Sequence, residues 1–259
     1  MLLVVDVGNT NTVFGVCEKE SLLRQWRVRT ERETTEDEFH ALASTLFRAG
    51  GIDIEGLHAT IVSCVVPPLR NILESFCQKY LGHSPIWVSS DTDIGMPILY
   101  ANPKEVGADR IVNAVGAYHK YRSSLVVIDF GTATTFDCIS SDGAYLGGAI
   151  SPGIGIAVEA LFQRASKLPR VEIFAPPPTV IGKDTATSMQ AGIIFGYAGL
   201  VDGLVGRIVR EMADDPPRVI ATGGIAPLMA QACETIRSVE PTLTLDGLRI
   251  IYERVSRRA

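Results

Sequence analysis

Two short segments of the chain place an aspartate at the end of an apolar run and follow it with glycine and small hydroxyl or amide residues. The first is DVGNTNTVFG, from Asp6 to Gly15, and the second is DFGTATTFD, from Asp129 to Asp137. Glycine lets the backbone approach an anion closely, and successive N–H groups in a tight turn form an anion-binding nest. Each segment is therefore a candidate phosphate-binding loop.

The aspartate of each loop could hold a cation against bound phosphates, because Mg²⁺ is bound by one or two carboxylates together with phosphate oxygens. Two carboxylates would repel a triphosphate unless cations intervene. One loop alone could be an ordinary hairpin whose acid accepts from turn N–H groups. The pattern occurs twice, with Asp6 matched to Asp129 and Thr12 to Thr135 at one constant offset, and this repetition favours a functional pair.

A third glycine-containing segment, VIATGGIAPL at Val219–Leu228, is predicted to be a strand that runs into Gly223 and Gly224 and then a helix. Such a junction can accommodate a ribose or adenosine group, because a side chain there would block the approach. Alone, it equally fits a simple strand-to-helix turn. No GxxxxGK[ST] segment occurs, so a P-loop is excluded and an ATP site must use two separate loops.

The composition excludes several classes of protein. Of the 259 residues, 46% are hydrophobic and 20% are charged, the net charge is −5, and no basic block is present, which argues against nucleic acid as a partner. The longest apolar stretch, Ala191–Val201, is shorter than the ~18–20 residues of a membrane span, so we expect a cytoplasmic protein with no membrane partner. Five scattered cysteines without metal-ligand spacing predict buried, reduced thiols.

Hydrophobic periodicity predicts two successive runs of strands and helices, the second beginning after Ser124. The first run contains strands at Leu2–Asp6, Thr12–Cys17, Gln25–Val28, Ala59–Val66 and Ile86–Val88, and helices after the cap Thr35 and at Leu69–Leu81. The second run contains three strands with a turn at Ser141–Gly143, helices near Ile154–Ala165 and Thr185–Met212, and a strand at Arg218–Ala221.

The restart of this pattern predicts an α/β protein of two similar domains. Residues 1–120 carry the first phosphate loop, and residues 121–259 carry the second phosphate loop and the third glycine segment. Solenoid repeats have periods of roughly 20–50 residues, so a repeat of half the chain indicates domains instead. A cleft between two such domains is a natural place for a ligand.

Four segments resemble the signature motifs of the type III pantothenate kinases. DVGNTNTVFG is similar to their phosphate 1 motif, GADR at Gly107–Arg110 to the substrate motif, DFGTATTFD to the phosphate 2 motif, and TGGIA at Thr222–Ala226 to the adenosine motif. These enzymes belong to the acetate and sugar kinase/Hsp70/actin superfamily. The resemblance therefore implies two ribonuclease H-like (actin-like ATPase) domains with mixed five-stranded sheets flanked by helices, and a ligand cleft between them. It extends to LTLDGLRIIYE at Leu243–Glu253.

The resemblance implies ATP-dependent phosphorylation of the primary hydroxyl of pantothenate to 4′-phosphopantothenate, the first step of coenzyme A biosynthesis. Asp109 matches the family's proton acceptor, and a carboxylate within hydrogen-bond reach suits an alcohol that attacks a γ-phosphate. Alternatively, Asp109 caps a helix at Ile111–Tyr121. Arg110 could grip a carboxylate or phosphate, or could be an exposed charge at the helix start.

The matching positions divide the implied site into nucleotide, substrate and cation residues. The implied ATP-binding residues are Asp6, Val7, Gly8, Asn9, Thr10, Asn11, Thr12, Val13 and Thr132. The implied pantothenate-binding residues are Tyr100, Gly107, Ala108, Asp109, Arg110 and Thr185, of which Thr185 could instead be only the N-cap of its helix. Asp6 would orient Mg²⁺, directly or through water, and Asp129 would bind a monovalent cation, K⁺ or NH₄⁺.

Members of the family are homodimers whose partner helps shape the pocket. The predicted helix from Thr185 to Met212 is apolar on more than one face, which is consistent with a second copy covering it. Two other functions also fit the phosphate loops. One is a kinase for a sugar or another small acid, which GADR after Tyr100 argues against. The other is a non-catalytic ATP-binding regulator or scaffold, which would not need Asp109.

Overall fold

The computed structural model of the protein describes residues 1–165, 167–173, 175–212 and 215–257. The chain divides into two compact units, one formed by Met1–Lys120 with Thr242–Ala259 and the other by Tyr121–Pro241. Each unit contains one five-stranded sheet.

Ten strands and seven α-helices form within the described residues. The strands are β1 (Leu2–Val7), β2 (Asn11–Glu18), β3 (Ser21–Arg29), β4 (Ala59–Cys64), β5 (Ile86–Trp87), β6 (Leu125–Phe130), β7 (Ala133–Ile139), β8 (Tyr145–Pro152), β9 (Arg218–Gly223) and β10 (Ser238–Val239). The helices are α1 (Glu36–Ala49), α2 (Pro67–Phe76), α3 (Ala108–Tyr121), α4 (Ile154–Arg164), α5 (Thr185–Glu211), α6 (Ala226–Met229) and α7 (Leu243–Ser256).

The sheet of the first unit has the strand order β3-β2-β1-β4-β5, with β1 antiparallel to β2 and parallel to β4. Side chains alternate between the two faces of a strand. On one face, Val5 and Val7 join a core with the apolar side chains of α1 and α2. On the other face, Gly15 lies against Leu245 of α7. Asp6 alternates with Val5 and Val7 and therefore shares the α7 face.

The sequence predicted this first run of elements correctly, with shifted boundaries. α1 begins with the predicted cap, where Thr35 and Glu38 form a complete capping box. α2 begins at Pro67 rather than Leu69, because proline is tolerated in the first helical turn, where its missing N–H has no intrahelical partner. The observed helix also ends earlier than predicted, at Phe76, and a single π-helical turn at Cys77–Leu81 follows it.

The second unit repeats the topology of the first. Its sheet has the order β10-β9-β6-β7-β8, with β6 antiparallel to β7 and parallel to β9. Side chains of β6, β7 and β9 form a core with α4 and α5. The prediction of two similar α/β domains with mixed five-stranded sheets is confirmed. β10 was not predicted.

Strand register corrects the proposed match between the two loops. The strand partner of Asp129, which is Thr135, lies six residues after it, whereas the strand partner of Asp6 lies seven residues after it. The second turn is therefore one residue shorter than the first. Thr12 corresponds to Thr134, not to Thr135, and both of these corresponding threonines are buried.

The predicted boundary 121–259 placed the last helix in the second unit, but the helix belongs to the first unit. α7 packs on β1 and β4, and the chain from Thr242 onward groups with the first unit. The contact with α3 is also close, since a Cβ on Gly247 would lie 2.1 Å from the Val112 carbonyl oxygen. An amphipathic helix can cover either sheet, so its periodicity alone could not locate it.

α5 is long and apolar enough to cross a membrane by length and composition, and 28% of its most apolar window is buried inside the chain. The uninterrupted run Ala191–Val201 underestimates the apolar length of this helix, because apolar residues continue beyond Asp202. The buried side chains, which include Ile194, Val201 and Val205, pack in the core of the second unit. A core helix of a soluble protein passes the same test, so the absence of a membrane span stays a prediction.

Candidate active site

The first phosphate loop is held from below by the end of β3. Thr30 follows β3, is buried, and donates its N–H to the Thr10 carbonyl at 3.0 Å. Its hydroxyl donates to the Gly8 carbonyl at 2.7 Å and lies 3.0 Å from the Thr12 hydroxyl. Thr30 was not predicted, because it lies outside the loop motif that it supports.

The predicted ATP-binding residues of this loop differ in how exposed they are to solvent. The side chains of Asn9 and Thr10 are exposed, whereas those of Val7 and Thr12 are buried and leave only main-chain groups for a ligand. Arg32 donates to the Asn9 side-chain oxygen at 3.1 Å and adds a positive charge beside the loop. The remaining loop residues, Gly8, Asn11 and Val13, are half-buried.

Asp6 lies near the carboxyl end of β1, directly beside Ser63 of β4. Ser63 is fully buried, and its hydroxyl has no hydrogen-bond partner among the described residues. Burial, with a smaller contribution from the Asp6 carboxylate, raises the pKa of the neighbouring Cys64 thiol. Asp6 therefore occupies the carboxyl edge of two adjacent parallel strands, where open α/β sheets bind ligands.

The GADR segment begins α3 beside the same edge. The Gly107 carbonyl accepts the Ile111 N–H at 3.1 Å, so the helix starts earlier than the predicted Ile111. A Cβ on Gly107 would lie 2.5 Å from Asp109 Oδ1 and 3.8 Å from Val65, which closely follows β4. Glycine is required here because any side chain would displace the Asp109 carboxylate.

Asp109 lies within the first turn of α3, so it is not the N-cap that the alternative interpretation required. Its Oδ1 accepts the Arg110 N–H at 2.8 Å. Burial raises the pKa of the Asp109 carboxyl above its ordinary value, opposed by the hydrogen bond from Arg110 and by the Arg110 charge. A carboxylate with a raised pKa at the edge of a sheet is a candidate proton acceptor.

Arg110 is only 6% exposed, so its interpretation as an exposed charge at the helix start is wrong. A buried guanidinium with a neighbouring carboxylate suits the recognition of an anionic group. Tyr100 is half-buried and leads into this segment through a 3₁₀ turn at Pro103–Glu105. Asn102 caps this turn by accepting the Lys104 N–H.

In the second unit, the second phosphate loop meets the TGG segment at Asp129. A Cβ on Gly223 would lie 2.6 Å from both Asp129 Oδ1 and the Phe130 carbonyl oxygen, and Gly223 has a φ of +95°. A Cβ on Gly131 would lie 3.7 Å from the same carboxylate oxygen. The carboxylate and carbonyl oxygens around these glycines are the hard donors that a monovalent cation accepts.

The second loop rests on the junction between β8 and α4. The Gly153 N–H donates to the Thr132 carbonyl at 3.1 Å, and a Cβ on Gly153 would lie 2.2 Å from that oxygen. The Tyr197 hydroxyl donates to the Pro152 carbonyl at 3.2 Å and fixes the junction from α5. These supports were not predicted, because they act on the loop through its backbone.

Thr185 is the exposed first residue of α5 and belongs to the second unit, whereas the other predicted substrate residues belong to the first. It is not the N-cap of its helix. That position is Asp184, whose carboxylate accepts the Thr187 N–H at 2.9 Å. The aspartate forms a capping box with Thr187, which leaves the Thr185 side chain outside the cap.

The described residues contain no group of three or more His, Cys, Asp or Glu side chains that could hold a metal ion. Burial raises the pKa of Cys17 to about 11 and those of Cys77 and Cys233 to about 12, as predicted for buried reduced thiols. A Mg²⁺ site at Asp6 would have one protein carboxylate. This fits Mg²⁺, which keeps several waters and binds substrate phosphates.

Comparison with known proteins identifies the family of the chain. The model of the type III pantothenate kinase family matches residues 2–207. A type III pantothenate kinase of Desulfatibacillum aliphaticivorans is 72% identical over 256 residues, 99% of each chain. One from Desulfosudis oleivorans is 58% identical, over 97% of this chain and 98% of its own. Component A of the (R)-2-hydroxyglutaryl-CoA dehydratase of Acidaminococcus fermentans shares the fold, with a TM-score of 0.59 and 14% identity over 99% of this chain and 98% of its own. This chain belongs to the type III pantothenate kinase family.

Proposed function

We propose that this pantothenate kinase transfers the γ-phosphoryl group of ATP to the primary hydroxyl of pantothenate, with Asp109 as the acceptor of the hydroxyl proton. The family assignment gives the reaction, which belongs to coenzyme A biosynthesis. The observation that supports Asp109 is its half-buried position at the start of α3, where desolvation raises its pKa. The transition state of phosphoryl transfer is largely dissociative, so the carboxylate mainly has to orient the hydroxyl and receive its proton late.

We assign the pantothenate pocket to Tyr100, Gly107, Ala108, Asp109, Arg110 and Thr185. The substrate carries a carboxylate, and the buried guanidinium of Arg110 can bind such a group through two parallel hydrogen bonds. Gly107 has no side chain, so the substrate can reach Asp109 at this point. Thr185 is the only one of these residues from the second unit.

We assign ATP to the two phosphate loops, with Asp6 and residues 7–13 in the first unit and Thr132 in the second. The exposed side chains of Asn9 and Thr10 and the main-chain N–H groups of the turn can donate to phosphate oxygens. A divalent cation such as Mg²⁺ accompanies ATP, and Asp6 would hold it directly or through water. When bound, the cation neutralises charge on the phosphates.

We assign a monovalent cation, K⁺ or NH₄⁺, to Asp129. Its carboxylate lies against the Cα positions of Gly131 and Gly223, where no side chain competes with an ion. Exchange of K⁺ for Na⁺ should lower turnover of the wild-type enzyme. The Asp129→Asn variant should lose this preference because its amide carries no charge. Equal rates of the wild type in the two salts would contradict this assignment.

We propose that the active form is a homodimer in which α5 contributes to the interface. Its glycines Gly192, Gly196 and Gly199 have open space where a Cβ would lie. Gly203 and Gly206 continue the same spacing, and there an added Cβ would come no closer than 3.5 Å to an arginine side chain. Glycine inside a helix costs roughly 0.5–1 kcal/mol relative to alanine, so an open stripe of five favours a close approach by a second helix.

We place the enzyme in the cytoplasm, without a membrane or nucleic-acid partner. Ile194, Val201 and Val205 of α5 are buried in the core of the second unit, as expected of a helix in a soluble protein. The net charge is −5, which disfavours binding to phosphate backbones. Recovery of the enzyme in the membrane fraction of expressing cells after a salt wash would contradict this placement.

Release of ADP, measured with purified protein, Mg·ATP, K⁺ and a panel of acceptors, tests the function. We expect turnover with pantothenate and not with sugars or acetate. Turnover confined to a sugar or another small acid would indicate the second candidate, a kinase for a different acceptor. ATP binding without turnover on any acceptor would indicate a regulator or scaffold of the same fold.

A further inference from the structure

The segment Ser89–Gly107 joins β5 to α3 and carries Tyr100. Apart from the 3₁₀ turn at Pro103–Glu105, it has no helix or strand. It folds around an open cavity of about 470 Å³, which is lined by Ser90, by residues 92–98 and by Pro103. The open space on one side of the segment leaves part of its position to be fixed by contacts with neighbouring elements.

The segment contacts α7, the last helix. Asp93 Oδ1 accepts a hydrogen bond from Arg254 Nε of α7 at 2.9 Å. Gly95 has a φ of +70°, and a Cβ there would lie 2.6 Å from the Arg254 guanidinium carbon. Ile94 and Met96, on either side of Gly95, are buried. The backbone at Gly95 therefore lies flat on the guanidinium.

The same helix also holds the element at the other end of the segment. A Cβ on Gly247 would lie 2.1 Å from the Val112 carbonyl oxygen of α3, so the two helix backbones are in close contact. The Thr244 hydroxyl donates to Asn113 Oδ1 at 2.7 Å. α7 thus touches the chain just after β5 and again in α3, the helix that begins with the GADR segment.

We propose that Arg254 is a positioning residue for pantothenate. Through Asp93 and Gly95 it fixes the start of the segment that carries Tyr100, while the rest of α7 fixes the helix that carries Asp109. The inference rests on the proposed pantothenate site. Arg254 lies beyond residue 207, where the match to the family model ends.

Steady-state kinetics of the Arg254→Ala enzyme test the proposal. Displacing a binding segment by about 1 Å can cost up to roughly a hundredfold, so we expect the KM for pantothenate to rise at least about tenfold while the KM for ATP changes less than about twofold. Arg254→Lys can still pair with Asp93 and should recover a substantial part of the loss. Arg257 is exposed just beyond α7, so Arg257→Ala removes the same charge and should behave as the wild type.

A second variant separates position from charge. Gly95→Ala keeps both charges but places a methyl group within 2.6 Å of the guanidinium carbon, so it should displace the contact and raise the KM for pantothenate selectively. An equal rise in both KM values, or no rise in the pantothenate KM in either variant, would overturn the proposal.

Hydrogen exchange of the amides at residues 93–106 tests the anchor without any activity. Exchange should be faster in Arg254→Ala than in the wild type, with unchanged exchange in α1. If wild-type enzyme fails to phosphorylate pantothenate, the proposed function fails, and faster exchange still supports the anchor. Unchanged exchange at residues 93–106 overturns it.

Discussion

Asp109 has two properties that oppose each other in a stable fold. Its carboxyl is desolvated by burial, which disfavours the charged form, yet a proton acceptor must be charged at neutral pH. Asp109→Asn removes the charge and keeps an oxygen that can accept the Arg110 N–H. We expect this variant to bind ATP and pantothenate but to lose most of its turnover, typically about 10²–10⁴-fold for a general acid–base residue.

Asp53→Asn is the matched control, because Asp53 caps the 3₁₀ turn Ile54–Gly56 and has no part in the proposed site. It should leave turnover unchanged. Full turnover of Asp109→Asn, measured by ADP release with bound substrates confirmed by calorimetry, would remove Asp109 from the role of proton acceptor.

The raised pKa of Asp109 also gives a dependence on pH. Turnover requires the deprotonated carboxylate, so kcat/KM should fall as the pH decreases, with a midpoint above the ordinary pKa of aspartate. The folded pKa exceeds the unfolded one, so the unfolded state holds fewer protons between these two pH values. The free energy of unfolding contributed by this group therefore falls as the pH rises through that window.

Asp109→Asn should accordingly unfold at a temperature no lower than that of the wild type at neutral pH, where the desolvated charge is fully present. Thermal unfolding at acid and neutral pH measures this difference. A variant that is clearly less stable than the wild type at neutral pH would show that the carboxylate stabilises the fold.

The residues of the proposed site stand in local sequence patterns, whereas the residues that support them do not. Asp6 and Asp109 stand in local patterns, where glycine and an acid occur at fixed spacing. Thr30 and Gly153 lie outside the phosphate loops and donate their backbone N–H groups to loop carbonyls. No local pattern reports such a contact, because any residue with an N–H group could in principle make it.

At the scale of elements, substitution of a glycine in α5 can test whether this helix lies in the proposed dimer interface. If the open stripe faced only solvent, Gly199→Ala would stabilise the enzyme by about 0.5–1 kcal/mol, because alanine loses less backbone entropy in a helix. In a dimer with a closely packed second helix, the added methyl group should weaken association instead. We expect the second result, and a larger effect from Gly199→Leu.

The mass of both variants in solution, measured by light scattering over a range of concentrations, distinguishes these outcomes. Gly155 is a useful control, since a Cβ there also meets open space but lies in α4. Gly155→Ala should leave the mass unchanged. A dimer of unchanged affinity in Gly199→Leu, or a monomeric wild type, would contradict the assignment of α5 to the interface.

The strands could be predicted better than their pairing. Short apolar segments located β1, β2, β6 and β7, but the shorter second turn shifted the match between the two loops by one residue. Turn length is set by the hydrogen bonds that close the hairpin. Such bonds are backbone interactions and leave little trace in the side-chain pattern.

At the scale of the whole molecule, α7 decides where the first unit ends. Its side chains Leu243, Leu245, Leu248 and Ile251 are buried, and each fully buried side chain of this size contributes roughly 1.5–3 kcal/mol. Their sum is comparable to the roughly 5–15 kcal/mol that separates folded from unfolded domains. Removing the chain after Pro241 should therefore unfold the first unit.

Circular dichroism and soluble yield measure this loss, and a truncation after Ser256 is the control, because it keeps α7 complete. The protein that ends at Ser256 should be soluble and should have the wild-type unfolding midpoint. A protein ending at Pro241 that unfolds cooperatively at the same midpoint would show that α7 is dispensable for the first unit. Recovery of native ellipticity on adding a peptide of residues 242–257 would instead confirm that the missing contacts, rather than the truncation itself, cause the unfolding.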